Sequence, residues 1–229
     1  MEMKLNLNHI NKSYGELEIF NDFSISFIPG SINCILGPSG CGKTTLLNIL
    51  NRSILPDSGD CDDFSKLRTS YVFQEPRLLP WKTVKENIEF VLKGTMEKLE
   101  LQQRLDEYIT LVQLDKFSDY YPSALSGGMK QRVSLARAFS FNYDIVLMDE
   151  PFKALDYKLK NKLIEQFLAL WEKDKRTVIF VTHDVDEVLQ IGQHLFIFSN
   201  PPVQLTEQFL IPESQKEKDQ LRNLLLAKI

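Results

Sequence analysis

The stretch GPSGCGKT, residues 37–44, lies between two segments of different character. The apolar run 32–36 before it predicts a strand, and residues 43–51 after it carry leucine and isoleucine at helical spacing, with no helix breaker before Pro56. The motif G-x-x-x-x-G-K-[ST] requires this order of strand, glycine loop and helix. Its glycines let backbone N–H groups turn toward phosphate oxygens, and the helix N-terminus adds the positive end of its dipole. The stretch therefore predicts a phosphate-binding loop in an α/β protein.

Each position of this loop has an expected task. The lysine of such a loop reaches the β- and γ-phosphates, and the hydroxyl that follows it ligates Mg²⁺. An ordinary glycine-rich turn would explain the glycines but not a Lys-Thr pair at the start of a helix. The residues that we expect to bind ATP are Gly37, Pro38, Ser39, Gly40, Cys41, Gly42, Lys43, Thr44 and Thr45, with Thr44 also a ligand of Mg²⁺.

A second apolar run, IVLMDE at 145–150, ends in two adjacent acids. At the carboxyl edge of a sheet, Asp149 can hold Mg²⁺ and Glu150 can polarise the water that attacks the γ-phosphate. Adjacent acids are also common at the start of a helix, so this assignment depends on the phosphate loop. Together the two motifs predict that the chain hydrolyses a nucleoside triphosphate.

Composition narrows the class of protein. The 229 residues include 27 Lys and Arg against 31 Asp and Glu, a formal net charge of −4, which gives no overall attraction to nucleic acid. No apolar run approaches the ~20 residues of a membrane span, and the start lacks a secretory pattern. The sequence therefore predicts a cytosolic chain that does not itself cross a membrane.

Periodicity predicts the arrangement of the fold. Continuous apolar runs at 144–148 and 177–181 are typical of a buried parallel sheet, whereas 84–137 has apolar residues three and four apart, as in helices. We expect one α/β domain, a P-loop NTPase core with a mostly parallel sheet, a small antiparallel β part and an inserted helical subdomain. The predicted division is a core of 1–75 and 138–229, and a helical subdomain of 76–137.

The string LSGGMKQR, residues 125–132, resembles the signature motif of ATP-binding cassette (ABC) ATPases. An ordinary capped helix would account for Ser126 and Gly127 but not for the whole string. In this family the signature loop meets the nucleotide held by a second subunit, so the resemblance implies a head-to-tail dimer. It assigns Ser126, Gly127 and Gly128 to the ATP of the opposite subunit.

Other positions match the family one at a time, in order along the chain. Tyr14 matches the aromatic residue that stacks on adenine, and Gln74 matches the glutamine that contacts Mg²⁺ and the attacking water. Asp156, in the run 154–156, matches the loop that crosses the dimer interface to the opposite nucleotide. His183 matches the histidine that contacts the γ-phosphate. The resemblance thus implies Glu150, His183, Gln74 and Lys43 as catalytic, and Thr44, Gln74 and Asp149 as the Mg²⁺ group.

Residues 74–81 and 83–88 are similar to the ATPase subunits of importers for nitrate, aliphatic sulfonates, taurine and thiamine-precursor pyrimidines. That likeness implies a homodimer on the cytoplasmic face of the membrane, separate permease subunits and an extracytoplasmic solute-binding protein. The apolar cluster at 78–81 would dock the permease or, equally, pack within the helical subdomain. A soluble ABC ATPase acting on nucleic acid or ribosomes and a P-loop small-molecule kinase are the alternatives.

Two places depart from the family pattern. Lys153 stands where relatives carry a small residue, so we expect a long cation near the dimer interface. The segment 45–74 is shorter than in most relatives, and residues 60–63 replace a strand-turn-strand. We therefore expect a reduced antiparallel part.

Overall fold

The computed structural model describes residues 5–153 and 155–227, and a six-stranded sheet forms their centre. Its strands are β3 (Ile32–Leu36), β5 (Thr69–Val72), β6 (Ile145–Asp149), β7 (Thr177–Thr182), β8 (His194–Phe198) and β9 (Leu205–Leu210). The spatial order is β5-β6-β7-β3-β8-β9, in which the first five strands are parallel and β9 is antiparallel. The carboxyl ends of β3 and β6 both lie beside the end of β7, because Leu36 pairs with Thr182 and Asp149 with Val181. The phosphate-binding loop and the acidic pair therefore meet at one edge of the sheet.

A separate antiparallel sheet consists of β1 (Leu5–Tyr14), β2 (Leu17–Phe27) and β4 (Ser58–Asp60). Strand β4 has only three residues, all exposed, and a four-residue helix, α2 (Asp62–Ser65), follows it. The expected small antiparallel part is thus confirmed.

Helices cover both faces of the central sheet. They are α1 (Lys43–Leu50), α3 (Val84–Leu92), α4 (Lys98–Leu111), α5 (Gly127–Ser140), α6 (Tyr157–Glu172), α7 (Val185–Ile191) and α8 (Gln215–Leu226). Helix α5 runs to Ser140, beyond the predicted boundary at 137, because its buried face continues through Ala138 and Phe139. The division into core and helical subdomain stays a prediction. None of the helices in the described ranges has the length and apolar character of a membrane span.

Two hydrophobic cores hold the sheet edge in place. Alternate residues of β3 enter different cores: Cys34 and Leu36 pack under α5 to α7, whereas Ile35 packs under α1 and the antiparallel sheet. All six residues of β7 are buried. Burial on both faces explains why these strands are continuous apolar runs in the sequence. The strand ends that carry functional groups are therefore fixed from both sides.

Candidate active site at the carboxyl edge of the sheet

A cavity of about 280 Å³ opens at the edge where β3 and β6 end. It brings together six residues of the predicted phosphate-binding loop, the two acids that follow β6, and two further residues. The lining residues are Ser39, Gly40, Gly42, Lys43, Thr44, Thr45, Gln74, Asp149, Glu150 and Lys153. Ser39 and Lys153 are 114 residues apart in the sequence, yet both line this cavity. They meet because the strands that precede them, β3 and β6, both pair in parallel with β7.

The loop has the conformation that its glycines allow. Gly42, the residue before α1, has φ +111°, and a Cβ added there would lie 2.5 Å from Cγ2 of Ile19. Gly40 has φ +78°. Only glycine adopts such backbone angles without strain, so the turn exposes backbone N–H groups at the start of α1.

Lys43 is buried within this loop. Its ammonium donates hydrogen bonds to the carbonyl oxygens of Gly37 at 2.8 Å and Pro38 at 2.7 Å. Those two residues border a neighbouring cavity beside β8, and Cys41 is buried beneath the loop. These three predicted residues therefore shape the loop and position Lys43 without lining the 280 Å³ cavity.

Asp149 accepts two hydrogen bonds, one on each carboxylate oxygen. Thr44 Oγ1 donates to Oδ1 at 3.3 Å, and the Tyr71 hydroxyl donates to Oδ2 at 3.2 Å. Burial raises the pKa of Asp149, while these two hydrogen bonds act in the opposite direction. A carboxylate, a hydroxyl and the amide of Gln74 supply the hard oxygen donors that Mg²⁺ takes in proteins. The residues present thus fit a Mg²⁺ group of Thr44, Gln74 and Asp149.

Glu150 lies next to Asp149 in a left-handed backbone conformation, φ +43°, and its N–H donates to the carbonyl of Val181. Its Oε2 lies 2.7 Å from Lys153 Nζ and 3.2 Å from His183 Nδ1. Burial alone would raise the pKa of Glu150, but the hydrogen bond from Lys153 and the charges of His183 and Lys153 lower it below its usual range. Glu150 is therefore an ionised carboxylate held at the cavity by two partners.

The remaining predicted residues lie outside the cavity. Tyr14 is 47% exposed at the end of β1, with Lys12 Nζ 5.5 Å from its ring centroid. Ser126 caps α5 by accepting from the N–H of Met129, and Asp156 caps α6 by accepting from the N–H of Leu159. Ala154, in the predicted interface loop, lies outside the described residues.

The sequence did not reveal two contacts of this site. Lys153 lines the cavity and pairs with Glu150, three residues earlier, which the sequence did not indicate. Its expected proximity to a dimer interface stays a prediction. Tyr71 was not among the predicted site residues, yet its hydroxyl donates a hydrogen bond to Asp149. The only sequence signal for this contact was a hydroxyl near the end of a strand. That signal would have pointed to Asp149 only if the pairing of β5 with β6 had also been predicted.

Comparisons with known proteins agree on one family. The family model described as ABC transporter matches residues 20–153, more than half of the chain. The aliphatic sulfonates import ATP-binding protein SsuB of Bacillus cereus is 36% identical over 211 residues, which cover 87% of this chain and 83% of that protein. The carnitine transport ATP-binding protein OpuCA of Listeria monocytogenes is 40% identical over 212 residues, which cover 86% of this chain and 53% of that protein.

A solved structure has the same fold. The dimeric structure of a post-hydrolysis state of the ATP-binding cassette MJ0796, bound to ADP and Pi, is 30% identical in sequence. It matches with a TM-score of 0.76 over 93% of this chain and 100% of the other. The chain therefore belongs to the ABC transporter family, as one of its ATP-hydrolysing cassettes.

Proposed function

We propose that this ATPase is the energy-coupling subunit of an importer for a small organic solute or anion. The observation that carries the proposal is the cavity that joins Lys43, Asp149 and Glu150 at one sheet edge. Support for import comes from relatives that are named as import or transport ATP-binding proteins, for aliphatic sulfonates and for carnitine. Sulfonate, taurine, nitrate and thiamine-precursor solutes all fall within the proposed class.

In the proposed reaction, Lys43 and the loop amides hold the β- and γ-phosphates of ATP. Thr44, Gln74 and Asp149 hold Mg²⁺, which when bound neutralises charge on the phosphates. Glu150 accepts the proton of the attacking water, since it is ionised and lines the cavity. His183, 3.2 Å from Glu150, orients the base and contacts the γ-phosphate. Tyr14 stacks on the adenine, as the family resemblance implies.

The signature loop supports a second copy of the chain as partner. All ten glycines lie in the described residues, and nine have either a left-handed φ or a neighbour within 3.0 Å of an added Cβ. Gly127 has neither, so none of the described residues of its own chain requires a glycine there. We infer that the open space at Gly127 receives the nucleotide of the opposite subunit, together with Ser126, Gly128 and Asp156.

A permease surface is proposed around Trp81. Leu78 packs against the helical core, whereas Trp81 is 69% exposed and Phe90 on α3 is 58% exposed. The two explanations of the apolar cluster therefore apply to different residues: Leu78 packs internally and Trp81 faces outward. We assign Trp81 and Phe90 to contact with the permease, which would place the chain at the cytoplasmic face of the membrane, with a solute-binding protein on the other side.

The test is co-purification of the tagged chain with permease subunits from detergent-solubilised membranes of its own cells. We expect the wild-type chain to retain the permease and Trp81→Ala to lose it, while Leu99→Ala, another exposed apolar residue on α4, serves as the control. Co-sedimentation with ribosomes or DNA instead would favour the nucleic-acid alternative. A phosphorylated small-molecule product in place of free phosphate would favour a kinase.

A further inference from the structure

A continuous row of side chains runs from the loop after Gln74 to Asp149. The guanidinium of Arg77 lies 3.8 Å from the ring centroid of Phe73. The Phe73 ring stacks on the Tyr71 ring, with centroids 4.1 Å apart and planes 19° from parallel. The Tyr71 hydroxyl then donates to Oδ2 of Asp149 at 3.2 Å. We call Arg77, Phe73 and Tyr71 the stacked row.

Helix α5 fixes the outer end of the stacked row. The Arg137 guanidinium donates to the carbonyl oxygens of Arg77 and Pro76, each at 3.1 Å. Arg77 has φ +42°, a left-handed conformation that is uncommon for a residue other than glycine. Such a conformation is retained only where several contacts with the surrounding structure hold it in place. Here one hydrogen bond and a stacking contact hold Arg77 itself, and a second hydrogen bond holds Pro76 beside it.

Packing alone does not explain the hydroxyl of Tyr71. The ring packs against the core under α1, and phenylalanine would fill the same space. The hydroxyl adds a donor to one oxygen of Asp149, while Thr44 occupies the other oxygen. Groups that hydrogen-bond a metal ligand fix its orientation and raise metal affinity.

We propose that Tyr71 is a positioning residue that orients Asp149 for Mg²⁺, and that Arg77, in the loop after Gln74, braces Tyr71 through the ring of Phe73. This inference rests on the proposed function, because it takes Asp149 as part of the Mg²⁺ group. A displacement of that loop then changes the hold of the chain on Mg²⁺. The coupling is mechanical, since each member of the row touches the next.

The test measures ATP binding by calorimetry, with excess EDTA and over a Mg²⁺ titration. In Tyr71→Phe we expect metal-free ATP affinity within twofold of wild type and a half-saturating Mg²⁺ concentration about tenfold higher. Tyr143→Phe is the matched control, because Tyr143 is also half-buried but precedes β6 at the opposite end from Asp149. Thermal unfolding of each variant verifies that the fold is intact.

A double-mutant cycle tests the bracing. Arg77→Ala keeps the Tyr71 hydroxyl, and we expect it to raise the half-saturating Mg²⁺ concentration about threefold through loss of its ring contact. Added to Tyr71→Phe, the same change should have no further effect, because the row then no longer ends on Asp149. If the effects of Arg77→Ala and Tyr71→Phe on the half-saturating Mg²⁺ concentration multiply in the double variant, the two residues act independently and the bracing is refuted.

Two outcomes separate this inference from the proposed function. If Mg²⁺ raises the ATP affinity of the wild-type chain but Tyr71→Phe has the same half-saturating Mg²⁺ concentration, the positioning role alone is overturned. A wild-type chain indifferent to Mg²⁺ would overturn the metal assignment, and the role of Tyr71 with it.

Discussion

At the residue scale, we expect phosphate binding to depend more on Lys43 than on any other cation. Two backbone carbonyls already hold its ammonium, so an incoming phosphate meets a charge that needs no reorganisation. We predict that Lys43→Met lowers the rate of phosphate release from ATP at least about 100-fold. Lys216→Met, an exposed lysine on α8, should leave that rate unchanged. A Lys43→Met rate near that of the wild type would refute this use of the loop.

Lys153 limits the basicity of Glu150 through the 2.7 Å ion pair. Removal of the cation makes Glu150 a stronger base, and general-base rates rise with base strength. We predict that Lys153→Met raises the turnover of the isolated chain about threefold, measured as phosphate release at saturating ATP.

A suitable control for that change is Lys175→Met, since Lys175 forms a Lys–Glu pair of the same spacing with Glu172, outside the cavity. A tenfold fall in Lys153→Met would mean that Lys153 contacts the reacting phosphate instead of restraining the base.

At the scale of elements, helix α5 carries a glycine whose role the described part of a single chain does not explain. A Cβ at Gly127 would have none of the described atoms within 4 Å, and alanine is the better helix former. We predict that Gly127→Ala keeps or slightly raises the unfolding temperature but lowers ATP turnover at least about tenfold, because the added methyl occupies the place of the opposite nucleotide. Gly128→Ala is the contrast, since its Cβ would lie 2.7 Å from Leu159 and should lower the unfolding temperature.

Helix α7 contributes stability that depends on pH. Asp184 caps α7 by accepting from the N–H groups of Asp186 and Glu187, and Lys160 Nζ lies 2.6 Å from its carboxylate. Burial opposes ionisation, but the hydrogen bond and charge of Lys160, together with the N–H groups of Glu187 and Asp186, outweigh it and lower the pKa of Asp184. A lowered folded-state pKa stabilises the protein above the unfolded value of about 3.9, and the effect is lost as pH falls through the folded pKa.

We predict that Asp184→Asn lowers the free energy of unfolding by about 1 kcal/mol at pH 7, and that the difference from wild type shrinks as pH falls below about 4. Urea unfolding at both pH values measures it. A difference that is constant with pH would show that the charge of Asp184 contributes nothing.

Local signals predicted the helices and strands, but they did not predict the side-chain contacts that depend on strand register or on the conformation of a turn. The apolar runs at 32–36 and 145–149 and the glycines before Lys43 were sufficient for β3, β6 and α1, because each is set by its own residues. The contacts of Tyr71 with Asp149 and of Lys153 with Glu150 were not predicted. The first depends on the register of β5 against β6, and the second on a turn in which the Lys153 N–H donates to the carbonyl of Glu150.

At the scale of the whole molecule, the two parts of the proposed nucleotide site do not meet within one chain. The cavity at the sheet edge contains the phosphate loop and Glu150, while Ser126 and Gly127 are exposed and outside its lining. A head-to-tail pair of identical chains would join each cavity to the signature loop of the other copy. We therefore expect ATP to join two copies of the chain.

The most direct measurement is the mass of Glu150→Gln by light scattering with and without ATP. The amide cannot accept the proton of the attacking water, so bound ATP persists and we expect the mass to double on addition of ATP. Gly127→Ala in the same background should stay at the mass of one chain. A mass that ATP leaves unchanged in Glu150→Gln, or a doubling that survives Gly127→Ala, would contradict the account.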